Sequence, residues 1–151
     1  MEFIATRSRD NARTPYQWDD TANAGFTTGK PWLKLNPNYK EINLEKDLSS
    51  PDSIFRYYQA LTKMRREHPA LVEGNLVFYL NEHPKVLAYT RKCKEETLFV
   101  IANYSKEESE VLIPSVLSAK SATLLLANTE REELKERMVL APWECAVFSL
   151  Q

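Results

Sequence analysis

A mainly β chain is what this sequence predicts: an antiparallel β-sandwich over residues 74–151, preceded by one helix and a long irregular segment. Three observations lead there. After residue 74, seven short apolar stretches recur at roughly ten-residue spacing with turn-forming breaks between them. Between about 52 and 67, apolar residues recur every three or four positions. Residues 1–49 show neither period.

The first segment holds Pro15, Pro31 and Pro37 with Gly25 and Gly29. A stretch of this length without secondary structure is too long for an ordinary connection in a compact domain. Yet Tyr16, Trp18, Phe26, Trp32, Leu33, Leu35 and Tyr39 make it too apolar for a disordered one. It is expected to lie against a partner surface.

The helix is expected from about Asp52 to Glu67. Ser50 suits an N-cap and Pro51 the first helical position. Lys63, Arg65 and Arg66 sit near the negative end of the dipole. Ile54, Tyr57, Tyr58, Leu61 and Met64 fall on one stripe, and His68-Pro69 ends the pattern.

The expected strands are 76–80, 85–91, 97–103, 109–113, 122–126, 138–140 and 144–150. Loops at 81–84, 92–96, 103–108 and 128–135 separate them. Residues 130–137 read equally as a helical turn. Their acids, Glu130, Glu132, Glu133 and Glu136, alternate with Arg131, Lys135 and Arg137, which reads as a self-neutralising solvated face.

Composition narrows the function. Of 151 residues, 43% are hydrophobic and 27% charged, and the net charge is -1. No basic surplus favours nucleic acid and no polybasic run favours an anionic membrane. No apolar run approaches the ~20 residues that span a bilayer. Cys93 and Cys145 have neither metal-site nor disulfide-framework spacing, so both are expected as thiols in a reducing, cytoplasmic setting. With three glycines, the chain has no glycine-rich phosphate cradle. No cofactor or metal is expected.

The densest chemistry lies in Ser8-Arg9-Asp10-Asn11-Ala12-Arg13-Thr14-Pro15-Tyr16-Gln17-Trp18-Asp19, followed by Asn23-Ala24-Gly25-Phe26. Two readings stand side by side. Arg9, Arg13, Asp10 and Trp18 can line a polyol pocket: guanidinium and carboxylate bond paired hydroxyls, and an indole covers the apolar side of a pyranose. Alternatively the arginines pair with Asp10, Asp19 or Asp20 and the rings fill the loop's own small core. Asp19-Asp20 is a poor candidate for the opposed carboxylates of a glycosidase, because adjacent side chains point in different directions. His68 and His83 belong to no nucleophile pattern and are expected to be structural or exposed.

The run from Arg9 to Asp19 resembles the late-sequence signature of α-glucosidases of glycoside hydrolase family 13. The branch it most resembles contains oligo-1,6-glucosidase, dextran glucosidase and trehalose-6-phosphate hydrolase. Tyr16 stands where those proteins usually carry Met. The resemblance continues through Asn23-Ala24-Gly25-Phe26, Pro31-Trp32, Asn36-Pro37-Asn38-Tyr39, Ile42-Asn43, the helix with Tyr57-Tyr58, and Arg65-Arg66-Glu67-His68-Pro69-Ala70-Leu71.

That resemblance implies a (β/α)8 barrel followed by an antiparallel β domain. A barrel alone takes ~250 residues. The chain is therefore expected to be the C-terminal part of such an enzyme. Residues 1–73 would be the terminal segment of the catalytic barrel, a loop and helix left over from its end, and 74–151 the C-terminal β-sandwich. The family's three catalytic acids match no position here; Asn81-Glu82-His83-Pro84 is the nearest string, in the wrong order and place. What the resemblance carries over is an arginine of the signature loop that lines the subsite for the non-reducing glucose, assigned to Arg13 first and Arg9 second. The implied partner is an oligosaccharide bound through the parent barrel, acting on α-1,6- or α-1,4-linked glucosides, with the isolated chain inactive and prone to self-association. The competing expectation is a stand-alone carbohydrate-binding or structural module.

Overall fold

The structure is a computed structural model that describes Asp10 and residues 13–151. The chain divides into two compact units, Met1–Gln59 and Ala60–Gln151, and the division falls inside the long helix.

The first unit is less irregular than its sequence suggests. It contains 3-10 turns at Ala22–Gly25 and Pro37–Lys40 and a short helix, α1, at Leu44–Ser49. Sequence periodicity missed α1 because six residues are too few to show a stripe. Its N-terminus is built from distant parts. Asn43 Oδ1 accepts from Lys46 N at 2.9 Å. The carbonyls of Gln17 and Trp18 accept from Leu44 N and Glu45 N at 2.9 and 3.0 Å. Those amides have no partner inside the helix, so the signature loop and α1 satisfy each other.

The long helix, α2, runs Ile54–Glu67. It begins two residues after the expected start, and Ser50 is not its cap. Ser50 ends α1, donating its N–H to Asp47 O at 3.0 Å. Ser53 caps α2 instead, its Oγ accepting from Arg56 N at 3.1 Å. The reason is Asp47, whose carboxylate accepts from Ile54 N at 2.9 Å, Phe55 N at 3.0 Å and Ser53 Oγ at 2.7 Å. Those bonds fix where the first helical amides stand.

In the second unit α2 ends and a short helix, α3 (Ala70–Glu73), follows the His-Pro break. Seven strands come next, as expected: β1 Asn75–Tyr79, β2 Val86–Lys92, β3 Thr97–Asn103, β4 Ser109–Leu112, β5 Ala122–Ala127, β6 Arg137–Leu140 and β7 Cys145–Leu150. A one-turn helix, α4 (Ser115–Ser118), lies between β4 and β5. The stretch before β6 contains no helical turn.

Five strands form one antiparallel sheet in the order β1-β2-β3-β7-β5, and β4 pairs with β6 in a second. Strand alternation places the core between them. In β4 and β6, Val111, Met138 and Leu140 are buried while Glu110, Leu112, Arg137 and Val139 are exposed. They meet Val86, Ala88, Phe99, Ile101, Ala146 and Phe148 from the larger sheet in one cluster. Phe99 and Phe148 stand opposite each other across β3 and β7. The chain is thus mainly β, with its sandwich in the C-terminal half.

The outer face of the larger sheet carries Leu76, Phe78, Leu87, Tyr89, Val100 and Val147. With Leu61, Met64 and Leu71 they line a cavity of about 550 Å³. Phe78 and Tyr89 meet edge to face at 6.0 Å. Cys93 and Cys145 form no disulfide, and no helix among the described residues is long and apolar enough to cross a membrane.

Candidate functional site

The signature loop is braced by its own polar residues. Gln17 Nε2 donates to Asn38 Oδ1 at 3.2 Å and to the Ile42 carbonyl. Asn43 Nδ2 donates to Tyr39 O at 2.8 Å. Asn23, Ala24 and Gly25 all have positive φ, near +58°, +58° and +65°. This left-handed turn points Ala24 O at Trp18 N and Asp19 N, at 2.9 and 3.4 Å. Asn23 closes the turn from the other side, its Nδ2 reaching Thr27 O and Gly29 O at 2.9 Å each. A side chain at Gly25 would collide with the Asp19 carboxylate, so only glycine fits.

Asp19 holds the same turn. Its Oδ1 accepts from Thr21 N at 2.9 Å and from the Thr21 hydroxyl. These bonds keep its carboxyl below the ordinary aspartate range. The Asp19-Asp20 pair is therefore a turn device, with one carboxylate committed to the backbone.

The candidate sugar-binding groups divide. Arg13 and Asp10 come together: the guanidinium donates to Asp10 Oδ1 and Arg13 N donates to Asp10 O at 3.1 Å. Both are exposed. The guanidinium also stands over the Trp32 ring, 5.6 Å from its centroid. Trp32 was absent from the candidate set, and it is 85% exposed. Trp18 packs edge-on against Tyr16 at 4.8 Å. Arg9 lies outside the described residues.

The arrangement offers guanidinium donors, a carboxylate acceptor and an open indole within one short segment, on a loop held by main-chain bonds. Such a set has the donors, acceptor and ring face that suit the hydroxyls and apolar side of a polyol, whereas a retaining glycosidase needs two carboxyl groups ~5–5.5 Å apart across the scissile bond. Among the described residues, no His, Cys, Asp and Glu group could hold a metal ion. A separate apolar groove of about 470 Å³ in the same unit is lined by Pro15, Tyr16, Ile42, Leu44 and Phe55.

Both histidines have structural duties. His68 Nδ1 lies 2.7 Å from Glu96 Oε2, while Glu96 Oε1 accepts from Ala70 N at 3.0 Å. His83 Nδ1 accepts from Lys85 N at 3.3 Å. Arg91 donates to Ala70 O at 3.1 Å and Val72 O at 3.2 Å, so α3 is tied to the sheet.

One feature of the β unit departs from expectation. Arg131 does not neutralise its own acidic run. It donates through Nε to Glu144 Oε1, and to Val139 O at 2.7 Å. Glu144 is 2% exposed, and its Oε2 accepts from Ala141 N at 2.8 Å. Burial pushes this carboxyl up, but hydrogen bonds from Arg131, Ala141 and Thr129 and the Arg131 charge outweigh it and hold it below the glutamate range. The signal in the sequence was a lone acid at the head of an apolar strand, which must find a partner when buried.

Two family models match the chain, one after the other. Residues 1–74 match the family model "Alpha amylase, catalytic domain" and residues 76–147 match "Maltogenic Amylase, C-terminal domain". The chain is similar over its whole length, at 44% identity, to the oligo-1,6-glucosidase of Parageobacillus thermoglucosidasius. It is equally similar, over 99% of its length, to the glucan 1,6-alpha-glucosidase of Streptococcus pneumoniae. Among solved structures, the trehalose-6-phosphate hydrolase of Bacillus licheniformis aligns over 99% of the chain with a TM-score of 0.88 and 38% identity. In each case the chain spans 27% of the relative's length. In sequence and in fold alike, this chain belongs to the α-amylase family, glycoside hydrolase family 13, whose catalytic-domain and C-terminal-domain models it matches in turn.

Proposed function

We propose that the chain is the C-terminal part of a retaining α-glucosidase acting on short α-1,6- or α-1,4-linked glucosides, with the catalytic acids on the portion of the parent that precedes the match. On this reading residues 1–73 complete the barrel and 74–151 form its C-terminal β domain. The observation that supports it most is the braced signature loop, which presents an exposed Arg13–Asp10 pair over an open indole.

Arg13 is the proposed sugar clamp. Its guanidinium donates charge-assisted bonds to hydroxyls of the non-reducing glucose and orients the ring for attack. Arg9 is the second candidate. Asp10 is the natural second half of the clamp, because the ion pair fixes the guanidinium before sugar arrives. The Trp32 face restricts the same group from the other side.

Two assays test the proposal. The purified chain mixed with a chromogenic α-glucoside should show no turnover above background; measurable turnover refutes the assignment of the acids elsewhere. Joined to the upstream three-quarters of the Parageobacillus relative, the chain should cleave isomaltose. In that chimera, Arg13→Ala should lower kcat/KM by roughly 10²-fold, as expected when a reacting group loses its positioning contact. Arg13→Lys should not restore it, since an ammonium lacks the planar fork.

A further inference from the structure

Trp143 occupies a position that its shape disfavours. Residues Ala141-Pro142-Trp143-Glu144 form a turn closed by Glu144 N donating to Ala141 O at 3.1 Å. Proline stands second and Trp143 third, with φ of +59°. A turn of this kind ordinarily takes glycine at its third position. A bulky aromatic there is strained, and strain of this sort persists only where surrounding contacts impose it. Those contacts are present. Trp143 N donates to Ser105 O at 3.1 Å, and Asn128 Nδ2 donates to Trp143 O at 2.9 Å. Glu144, clamped by Arg131, accepts from Ala141 N.

The molecule gains little burial in return. The Trp143 side chain is 60% exposed. Tyr104, the neighbour of Ser105, is 63% exposed, and its N–H donates to Lys85 O at 2.7 Å. Lys85 in turn pairs with Glu107, both in solvent. Main-chain bonds therefore bring the segments of two open aromatic residues, Trp143 and Tyr104, together at one end of the sandwich, next to the segment of the Lys85–Glu107 pair.

We propose that this end of the β unit is a second carbohydrate-binding surface, with Trp143 as the stacking platform for an α-linked glucose oligomer. The proposal rests on the functional reading above for the class of ligand. A single indole bordered by charged and amide groups suits a pyranose, which has an apolar face and a rim of hydroxyls. A protein partner would instead favour a broader apolar core depleted of charge. Tyr104, one residue from the Ser105 that Trp143 bonds, offers a second exposed ring, and Lys85 and Glu107 offer a donor and an acceptor.

The test is a titration of the whole chain with isomaltotriose and with dextran, followed through indole and amide NMR signals. The expected result is a saturable, millimolar shift at the Trp143 indole and the Tyr104 and Asn128 amides. Trp143→Gly should abolish saturation at those amides without lowering Tm, because glycine accepts the positive φ. Trp143→Phe should retain weakened binding. Absence of a saturable shift, a shift confined to Trp18 or Trp32, or unchanged binding in Trp143→Gly overturns the proposal. Since the Arg13 reading is judged by turnover in the chimera, the two fail independently.

Discussion

Glu144 illustrates how one buried charge sets the stability of a whole corner. Its two oxygens hold Arg131 and the turn that leads into β7, and Asn103 N donates to its carbonyl at 2.8 Å. Removing one partner of a buried ion pair leaves the other uncompensated. Glu144→Gln should therefore cost about 3 kcal/mol in chemical denaturation at neutral pH. The pH dependence has a definite sign. The folded carboxyl titrates below its unfolded value. Its contribution is complete above the unfolded glutamate range and is lost as pH falls through the folded pKa. The stability gap between wild type and Glu144→Gln should thus close in acid. A gap that stays constant down to the acid end would show that the charge is not what matters. The same corner shows what sequence reading can and cannot reach. The acidic run was visible, but the choice of Arg131's partner was not, because the partner is 13 residues away and chosen by the turn.

Helix α2 owes its start to a residue outside it. Asp47 belongs to α1, yet it satisfies the first two amides of α2 and the hydroxyl that caps it. These bonds hold its carboxyl below the usual range, Ser53 being the leading cause. Ser53→Ala should cost about 1 kcal/mol, the ordinary value of an N-cap. Hydrogen exchange should quicken at Arg56 and leave β3 unchanged. Unaltered exchange in the first turn would place the cap elsewhere. Strand positions were legible because alternation and turn residues repeat, and all seven emerge within two residues of expectation. The three short helices among the described residues were not. Leu44–Ser49, Ala70–Glu73 and Ser115–Ser118 are held by caps and neighbours rather than by a periodic stripe. In the signature loop, the sequence marked which residues matter but not how. Gln17, Asn23 and Asn43 build the loop, and Trp32 joins Arg13 through a ring contact that spacing does not reveal.

Taken whole, the molecule keeps large apolar groups in solvent. Ile54 is 78% exposed on α2, and Leu76, Val77 and Phe78 are exposed on the edge strand β1. An edge strand of this composition, without lysine or proline to blunt it, is a template for another chain. We propose that the isolated chain self-associates. Sedimentation should show concentration-dependent mass, and Val77→Lys should reduce it; a monomer at all concentrations would count against this.

The central claim is that this chain supplies the last quarter of an α-glucosidase, including a sugar-clamping arginine. The direct measurement is isomaltose hydrolysis by the chimera that replaces the matching quarter of the Parageobacillus thermoglucosidasius relative with this chain. Turnover that falls with Arg13→Ala is the predicted result. A folded, soluble chimera without turnover, or one indifferent to Arg13, would contradict it.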